Sequence, residues 1–521
     1  MVLLGAIDQG TSSSRFLIFE SDSGELVTSH QIEVEQLYPA PVEGREKDVD
    51  EDDDDLFVKG WVEMSGLRIL ETVIECISVA CSNLERMGIP KDEIKSIGLA
   101  NQRETTIVWS KKTGKPLHNA IVWLDTRTSD LADEMTNKTP TRSKDHFKQK
   151  TGLPIHPYFS ALKLKWLLEN VPEVQEALDD GDLMFGTVDT WLIYNLTGAH
   201  VTDVSNASRT LLLDLHKRKW STELCNFFGI PHSIMPAIRS SAEIYGFLKH
   251  GELKGVPISG CVGDQQAALI GHNCLRVGDA KSTYGTGTFM LCNTGVNPII
   301  SKNGLLTTVG FQFGAHAPVC YALEGSGSIG GNVVRFLRDN LKFIKKSNEV
   351  EGLAGSVEDT GDVVFVPAFT GLYSPTWDST ARGTICGLTM STSTAHIARA
   401  ALQAVAFQAS DMIEAVERDL DHPIQALKTD GGMTANKLFM QMNADVFGRP
   451  VTCSLMPEIS GWGAAVAGGI GAHQLSLAEF AQHTTQKQIR YTPVISEQRR
   501  VHETAKWKEA LQRSRNWSHA L

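Results

Sequence analysis

Residues 2–20 read VLLGAIDQGTSSSRFLIFE. Two apolar runs, Val2–Ile7 and Arg15–Glu20, flank the polar stretch Asp8-Gln9-Gly10-Thr11-Ser12-Ser13-Ser14, a pattern that predicts strand, tight turn, strand. Gly10 is expected to take a backbone path closed to other residues. The N–H and hydroxyl groups after it can turn inward as an anion nest. Asp8 is then available to a hydrated Mg²⁺ and Arg15 to a phosphate. A polar hairpin turn without a ligand has the same local signature.

Working outward, a third β-rich stretch, Leu26–Gln36, follows Ser23-Gly24. Leu67–Met87 reads as helix, and Ile94–Leu99 as a buried strand ending at Asn101-Gln102-Arg103-Glu104-Thr105. Tyr158–Asn170 reads as an amphipathic helix, and a second β-rich unit with Gly-rich turns opens at Ala280. A chain of 521 residues is too long for one core. The main boundary is placed near residue 270, giving domains 1–270 and 271–521. Strands and helices alternate in both halves, so the class is α/β. In the second half Thr394 is expected to cap a long helix, His396–Leu420, with Ala398, Ala401, Leu402, Val405 and Ala409 on one side. Gly463–Gly471 reads as a helix of small residues made for close contact.

Hydrophobic residues are 42% and charged residues 21% of the chain, which excludes general disorder. Net charge is −12 with no basic block, so nucleic acid or an anionic membrane is excluded as the main partner. Residues 43–59 hold nine acids and three bases, half the net charge. Such a block with no apolar face is expected to be a solvated, disordered insert. The nine cysteines form no C-x-x-C pair, which points to neither a disulfide framework nor a zinc site. No basic n-region opens the chain and no run approaches the roughly 20 apolar residues of a membrane span, so a cytoplasmic protein is expected.

Phosphoryl transfer requires a phosphate cradle, a metal-binding carboxylate and a group that orients the acceptor. The P-loop G-x-x-x-x-G-K-[ST] is absent, since Gly114-Lys115 continues into Pro116. Three other Gly-containing loops follow strand-like stretches: Asp8–Arg15, Tyr284-Gly285-Thr286-Gly287-Thr288-Phe289, and Asp430-Gly431-Gly432-Met433-Thr434-Ala435-Asn436. The third leads into a helix, whose N-terminus favours an anion. Gly325-Ser326-Gly327-Ser328-Ile329-Gly330 matches the dinucleotide fingerprint G-x-G-x-x-G, the one motif that favours an NAD-linked oxidoreductase. It is short and lacks a convincing second βαβ half. The candidate acceptor site gathers Arg103, Glu104, Trp123, Tyr158, Asp264 and Phe289. Asp264 opens a helix and should keep a low pKa, which suits a transition state needing little early deprotonation.

These segments resemble glycerol kinases, within the carbohydrate-kinase family that has the actin-like, two-domain ATPase fold. The likeness is carried, in order, by residues 8–15, Asn101-Gln102-Arg103-Glu104-Thr105-Thr106, Tyr158-Phe159-Ser160-Ala161-Leu162-Lys163, Asn206-Ala207-Ser208-Arg209-Thr210, Gly263-Asp264-Gln265-Gln266-Ala267-Ala268, residues 283–287, Phe365–Phe369 and Asp430-Gly431-Gly432. It implies two actin-like (ribonuclease H-like) domains with an interdomain active-site cleft, and ATP, Mg²⁺ and glycerol as ligands. It implies that Thr11, Ser12, Ser13 and Arg15 hold phosphates, with Asp8 and Asp264 at the metal. Thr286, Gly331, Arg335, Gly432 and Asn436 would line the nucleotide site. Arg103, Glu104, Tyr158, Asp264 and Gln265 would bind the glycerol hydroxyls, with Asp264 as base and Trp123 and Phe289 walling the carbon chain. In this light the Gly325–Gly330 match is accidental. A homo-oligomer, dimer or tetramer, is also expected. Departures from the family pattern are the insert 43–59, the missing acid after Glu63, Trp462 where a small or aliphatic residue is usual, and Arg335 where glutamine is common.

Overall fold

The opening hairpin forms where two buried apolar runs meet a polar turn. Strand β1 (Leu3–Gln9) pairs antiparallel with β2 (Ser13–Glu20), with Asp8 opposite Arg15. Each strand runs two residues deeper into the turn than the apolar pattern predicts, leaving Gly10, Thr11 and Ser12 as the connection. Gly10 departs from expectation. Its φ is outside the left-handed region, and an added Cβ would meet only the Ser13 carbonyl at 3.6 Å. Glycine therefore leaves open space beside the turn and is not needed for a special backbone path.

The computed structural model describes residues 2–39, 60–327, 329–482 and 488–517; the acidic segment 43–59 lies outside them. Two units divide the chain: Met1–Asn273 with Thr308–Cys320 and Ser460–Thr484, and Cys274–Thr307 with Tyr321–Ile459 and Thr485–Leu521. The first contains β3 (Leu26–Glu33), β4 (Ile94–Asn101), β5 (Ala242–Phe247) and β6 (Pro257–Gly263), in the sheet order β5-β6-β4-β1-β2-β3. Here β1, β4 and β6 are parallel, and Gln9, Asn101 and Gly263 lie side by side at their C-terminal ends.

The second unit's sheet uses β7 (Ala280–Tyr284), β8 (Thr288–Gly295), β10 (Cys320–Gly327), β11 (Leu427–Asp430), β12 (Val451–Ser454) and β13 (Gln488–Tyr491), ordered β10-β8-β7-β11-β12-β13, and β9 (Leu306–Phe311) runs from the second unit into the first. The same pattern recurs in both sheets. A hairpin strand, β1 or β7, is followed by two parallel neighbours and then an antiparallel edge strand. Doubling of this kind agrees with the actin-like α/β fold that the sequence implies.

Helix packing follows the apolar spacing. Gly66–Arg86 buries Ile69, Val73, Cys76, Ile77, Ala80 and Leu84, one stripe of the 3.6-residue repeat, and Ser65 caps it. Thr394–Leu420 buries the five residues expected of its face, but its cap is Ser393, with His396 reaching back in a capping box. This helix also explains the fingerprint glycines. A Cβ on Gly325 or Gly327 would lie 2.7 or 3.0 Å from Met412. These glycines admit a helix against a strand.

The small-residue helix, Ile459–Gly471, does what its composition suggests. A Cβ on Gly98 of β4 would collide with the Ala464 carbonyl, and one on Gly260 of β6 with Gly468. Gly463 meets the Ala267 carbonyl in the same way, and Ser259 Oγ donates to the Gly468 carbonyl at 2.8 Å. Trp462 is 1% exposed and packs on Phe19 at 5.4 Å, so the departure at this position is a core residue.

Polar groups lock the other side of the same strands. Asp203 accepts from Ser205 N and Asn206 N, both at 2.8 Å, and from Ser241 Oγ at 3.0 Å. The turn so capped sends the Asn206 amide to the Asn101 side chain at 3.0 Å and Ser205 Oγ to Gly263 N at 2.9 Å. Asp189 accepts from Thr202 Oγ1 at 2.6 Å. Burial pushes both carboxyls up, Asp203 to about 7 with the Asp189 charge adding to the shift.

Two outcomes follow. Gly98→Ala should destabilise the chain by about 2–3 kcal/mol through overpacking, read as a lower urea midpoint; an unchanged midpoint would show that the helix yields. A carboxyl whose folded pKa is raised gives stability that is full below the unfolded value, 3.8, and is lost as pH rises through about 7. The thermal-midpoint advantage of wild type over Asp203→Asn should therefore shrink as pH rises from about 5 to about 8. A constant or growing difference would contradict the assigned shift.

Candidate active site

In parallel α/β sheets, ligand chemistry collects beyond the carboxyl ends of the strands, where successive loops emerge together. The first unit fits this rule. Thr11 and Ser12 follow β1, Arg103 and Glu104 follow β4, and Asp264 follows β6 directly. Adjacent strands are about 4.8 Å apart, so the three exits span about 10 Å. Gln102 ties two of them, donating its backbone N–H to the Gln9 carbonyl at 2.7 Å and its amide to Gln9 Oε1 at 3.0 Å.

Arg103 is 3% exposed, lies over Gly263 and pairs through Nε with Asp264 Oδ1 at 3.3 Å. Its Nη1 donates to Gln266 at 3.3 Å. Asp264 heads the helix Asp264–Gly271, where its Oδ1 accepts from Gln265 N at 2.7 Å and its side chain keeps 28% exposure. Gln265 donates its amide to Asp264 Oδ2 at 3.4 Å. A carboxylate thus oriented from two sides and partly exposed can accept a proton from a hydroxyl brought against it.

Glu104 sits in a strained turn. Its φ is 59°, and Thr105 N bonds back to the Arg103 carbonyl at 2.7 Å. Such geometry costs a non-glycine residue on the order of 1–3 kcal/mol and persists only when its surroundings over-determine it. Hydroxyls of Thr106 and Ser160 each bond the Glu104 carbonyl at 3.0 Å, and Arg209 Nε donates to its carboxylate at 2.6 Å.

The aromatic wall is bonded to the first turn. Trp123 Nε1 donates to Thr11 Oγ1 at 2.9 Å, and its ring lies 5.6 Å from that of Tyr158. The Tyr158 carbonyl accepts from the buried Lys163 ammonium at 2.6 Å, and burial pushes that lysine down to about 7 against the pull of Asp125 and Glu104. Arg127, its side chain fully buried, joins Asp125 at 2.8 Å and Glu63 at 2.9 Å, 4.1 Å over the Trp61 ring. In the turn itself Ser12 is exposed, while Ser13 is buried in β2 and its carbonyl accepts from Gly10 N at 2.9 Å. Arg15 pairs with Asp8 at 3.4 Å and donates to Gln31 at 2.7 Å.

The second unit brings its expected residues into one place. A cavity of about 530 Å³ is lined by Thr286, Gly331, Arg335, Gly432 and Asn436, with Glu351 and Met433. That volume lies within the range of small-molecule sites. Its floor is backbone on backbone: Gly330 N bonds the Thr286 carbonyl at 2.9 Å and Gly331 N the Gly285 carbonyl at 2.7 Å. Gly431 has φ 94° and stands so close to Tyr284 that a Cβ would lie 2.6 Å from its carbonyl, so only glycine fits. Asn436 lines the cavity while its Oδ1 caps the helix Lys437–Phe447 through Phe439 N at 2.9 Å. Phe289 belongs to this unit, on β8 opposite Thr283. The residues missed in the sequence are those acting from behind: Gln102, Lys163, Asp203, Asn206 and Arg209. A buried polar partner looks like any surface one until the fold places it.

Comparison with known proteins agrees with this geometry. The N-terminal domain of the FGGY family of carbohydrate kinases matches residues 3–271, and its C-terminal domain matches residues 280–472. A probable glycerol kinase of Caenorhabditis elegans is 65% identical over 99% of this chain and 100% of its own length. Glycerol kinase 1 of Streptomyces avermitilis is 44% identical, covering 99% and 97%. Among solved structures, Plasmodium falciparum glycerol kinase with ADP superposes with a TM-score of 0.86 at 36% identity, over 99% of this chain and 98% of that one. With both of its domains matched and its loops built as described, this chain belongs to the FGGY family of carbohydrate kinases.

Proposed function

We propose that the chain transfers the γ-phosphate of ATP to a terminal hydroxyl of glycerol, giving sn-glycerol 3-phosphate and ADP. The observation that carries this reading is the common edge formed by β1, β4 and β6, where Thr11, the Arg103–Glu104 pair and Asp264 emerge together. The glycerol kinases to which the chain is similar over nearly its full length support glycerol as the acceptor.

In this reading Arg103, Tyr158 and Gln265 donate to glycerol hydroxyls, Glu104 accepts from them, and Trp123 and Phe289 cover the carbon chain. Asp264 takes the proton of the attacking hydroxyl as the new O–P bond forms and the bond to the ADP oxygen breaks. Thr11, Ser12, Ser13 and Arg15 hold phosphate oxygens. Thr286, Gly331, Arg335, Gly432 and Asn436 hold the nucleotide. The donor set also suits Mg²⁺. Asp8 and Asp264 are hard oxygen donors at strand ends, and neither belongs to a ready-made group of three ligands among the described residues. A cation taking one or two carboxylates plus phosphates and water needs no more. When bound, it would neutralise charge on the β and γ oxygens.

We place this activity in the cytosol, a reading supported by a sequence whose nine cysteines form no C-x-x-C pair. No helix among the described residues is long and apolar enough to cross a membrane. The family resemblance supports a homo-oligomer, dimer or tetramer.

ADP release from Mg-ATP, measured across glycerol, dihydroxyacetone, pentitols and pentuloses, should be fastest with glycerol; preference for a five-carbon acceptor would overturn the substrate assignment. Asp264→Asn should lower kcat by about 10²–10⁴-fold while ADP binding is retained. Wild-type-like turnover in that variant would remove Asp264 as the base.

A further inference from the structure

Glu104 and Tyr158 both belong to the proposed acceptor site, and one side chain touches both. Arg209 is fully buried, with Nε 2.6 Å from Glu104 Oε1. Its guanidinium carbon stands 5.5 Å over the Tyr158 ring and 5.4 Å over that of Phe159, within cation–π range. No role falls to this arginine in binding or transfer as set out above.

Its backbone is itself anchored to the strand ends. Arg209 N bonds the Asn206 carbonyl at 3.0 Å, closing the turn that Asp203 caps. From that turn Asn206 reaches Asn101 at the end of β4, and Ser205 reaches Gly263 at the end of β6. Ser208 Oγ lies 2.8 Å from Thr308 Oγ1, and Ala161 N bonds the Thr210 carbonyl at 2.9 Å. The turn is thus bonded to the strands that carry Arg103 and Asp264, and to the helix that follows Tyr158.

Glu104 needs such a hold, because its left-handed φ of 59° takes it out of the strand's regular geometry. A carboxylate has about four acceptor sites. A charge-assisted bond at Oε1 fixes its plane and leaves capacity for hydroxyl donors. We infer that Arg209 is a positioning residue of the acceptor site, setting the Glu104 carboxylate and the Tyr158 ring as one unit so that polyol binding depends on it. This inference rests on the polyol-kinase reading for its choice of ligand, and on the geometry of the first unit alone for its mechanism.

Arg209→Lys keeps the charge but loses the flat, forked guanidinium. It should raise the glycerol KM by about 10–100-fold and leave the ATP KM and ADP affinity within about two-fold. A glycerol KM within about two-fold of wild type overturns the inference, and so does an equal rise in both KM values, which marks a merely structural role. Arg209→Gln alone would leave the Glu104 carboxylate buried and uncompensated and can prevent folding, whereas Glu104→Gln leaves an amide oxygen that still accepts from Arg209 and the double variant leaves no buried charge at the pair. The double variant Arg209→Gln with Glu104→Gln is therefore compared with Glu104→Gln alone. In the single variant Arg209 still has an amide oxygen to orient, so the double variant should bind glycerol more weakly; equal affinities overturn the inference. If the wild type phosphorylates another polyol, the glycerol assignment fails and the Arg209 claim is read on that acceptor's KM. A wild type that binds no polyol by calorimetry overturns both.

Discussion

Register between β1, β4 and β6 is the constraint from which the first unit's chemistry follows. Gln9, Asn101 and Gly263 stop side by side, so the Gly10–Ser12 turn, the Arg103–Glu104 pair and Asp264 emerge along one edge. A slip of one residue in β4 would turn Gly98 away from the Ala464 carbonyl and offer that position a side chain it has no room for. Glycines on β4 and β6 let the helix Ile459–Gly471 approach backbone to backbone. Behind them, Asp203 and its turn bond the ends of the same two strands. Packing and polar bonds therefore specify one register, and Arg103 and Asp264 meet at 3.3 Å because of it.

The second unit applies the same topology to a different task. Its hairpin strand β7 and parallel partner β11 end in the two Gly loops that, with Gly331, line a cavity of about 530 Å³. Charge is concentrated on the first unit's strand ends, while the second unit's loops expose backbone and small side chains. That division suits the two ligands as proposed, glycerol on the first unit and the nucleotide on the second. Glycerol is a small polar molecule recognised through hydroxyl-matched donors and acceptors, and a nucleotide is a large body that needs space at a glycine-lined surface.

Much of this was legible in the residues themselves. The hairpin at 2–20, the buried strand from Ile94 and the long helix before Leu420 are written in apolar periodicity, which depends only on nearby residues. All five residues that the family resemblance implies at the nucleotide site line one cavity, and three of them, Thr286, Gly432 and Asn436, stand in Gly-rich loops after strands, a local signal too. Other features depended on distant partners. The cap at Ser393, one residue before the expected Thr394, rests on His396 folding back. Gly10 looked like a conformational necessity and proved to be open space, since φ is set by the closing strands. Arg209, Asp203 and Gln102 find partners 105, 38 and 93 residues away, and no local pattern announces such pairs.

The central claim is transfer of a phosphoryl group from ATP to glycerol by the full chain. Phosphorus NMR of a reaction containing the chain, Mg-ATP and glycerol tests it most directly. The account predicts a glycerol 3-phosphate resonance growing in equal proportion to ADP, with no accumulation of inorganic phosphate. ADP appearing with inorganic phosphate alone, or ATP left intact beside glycerol, would contradict it.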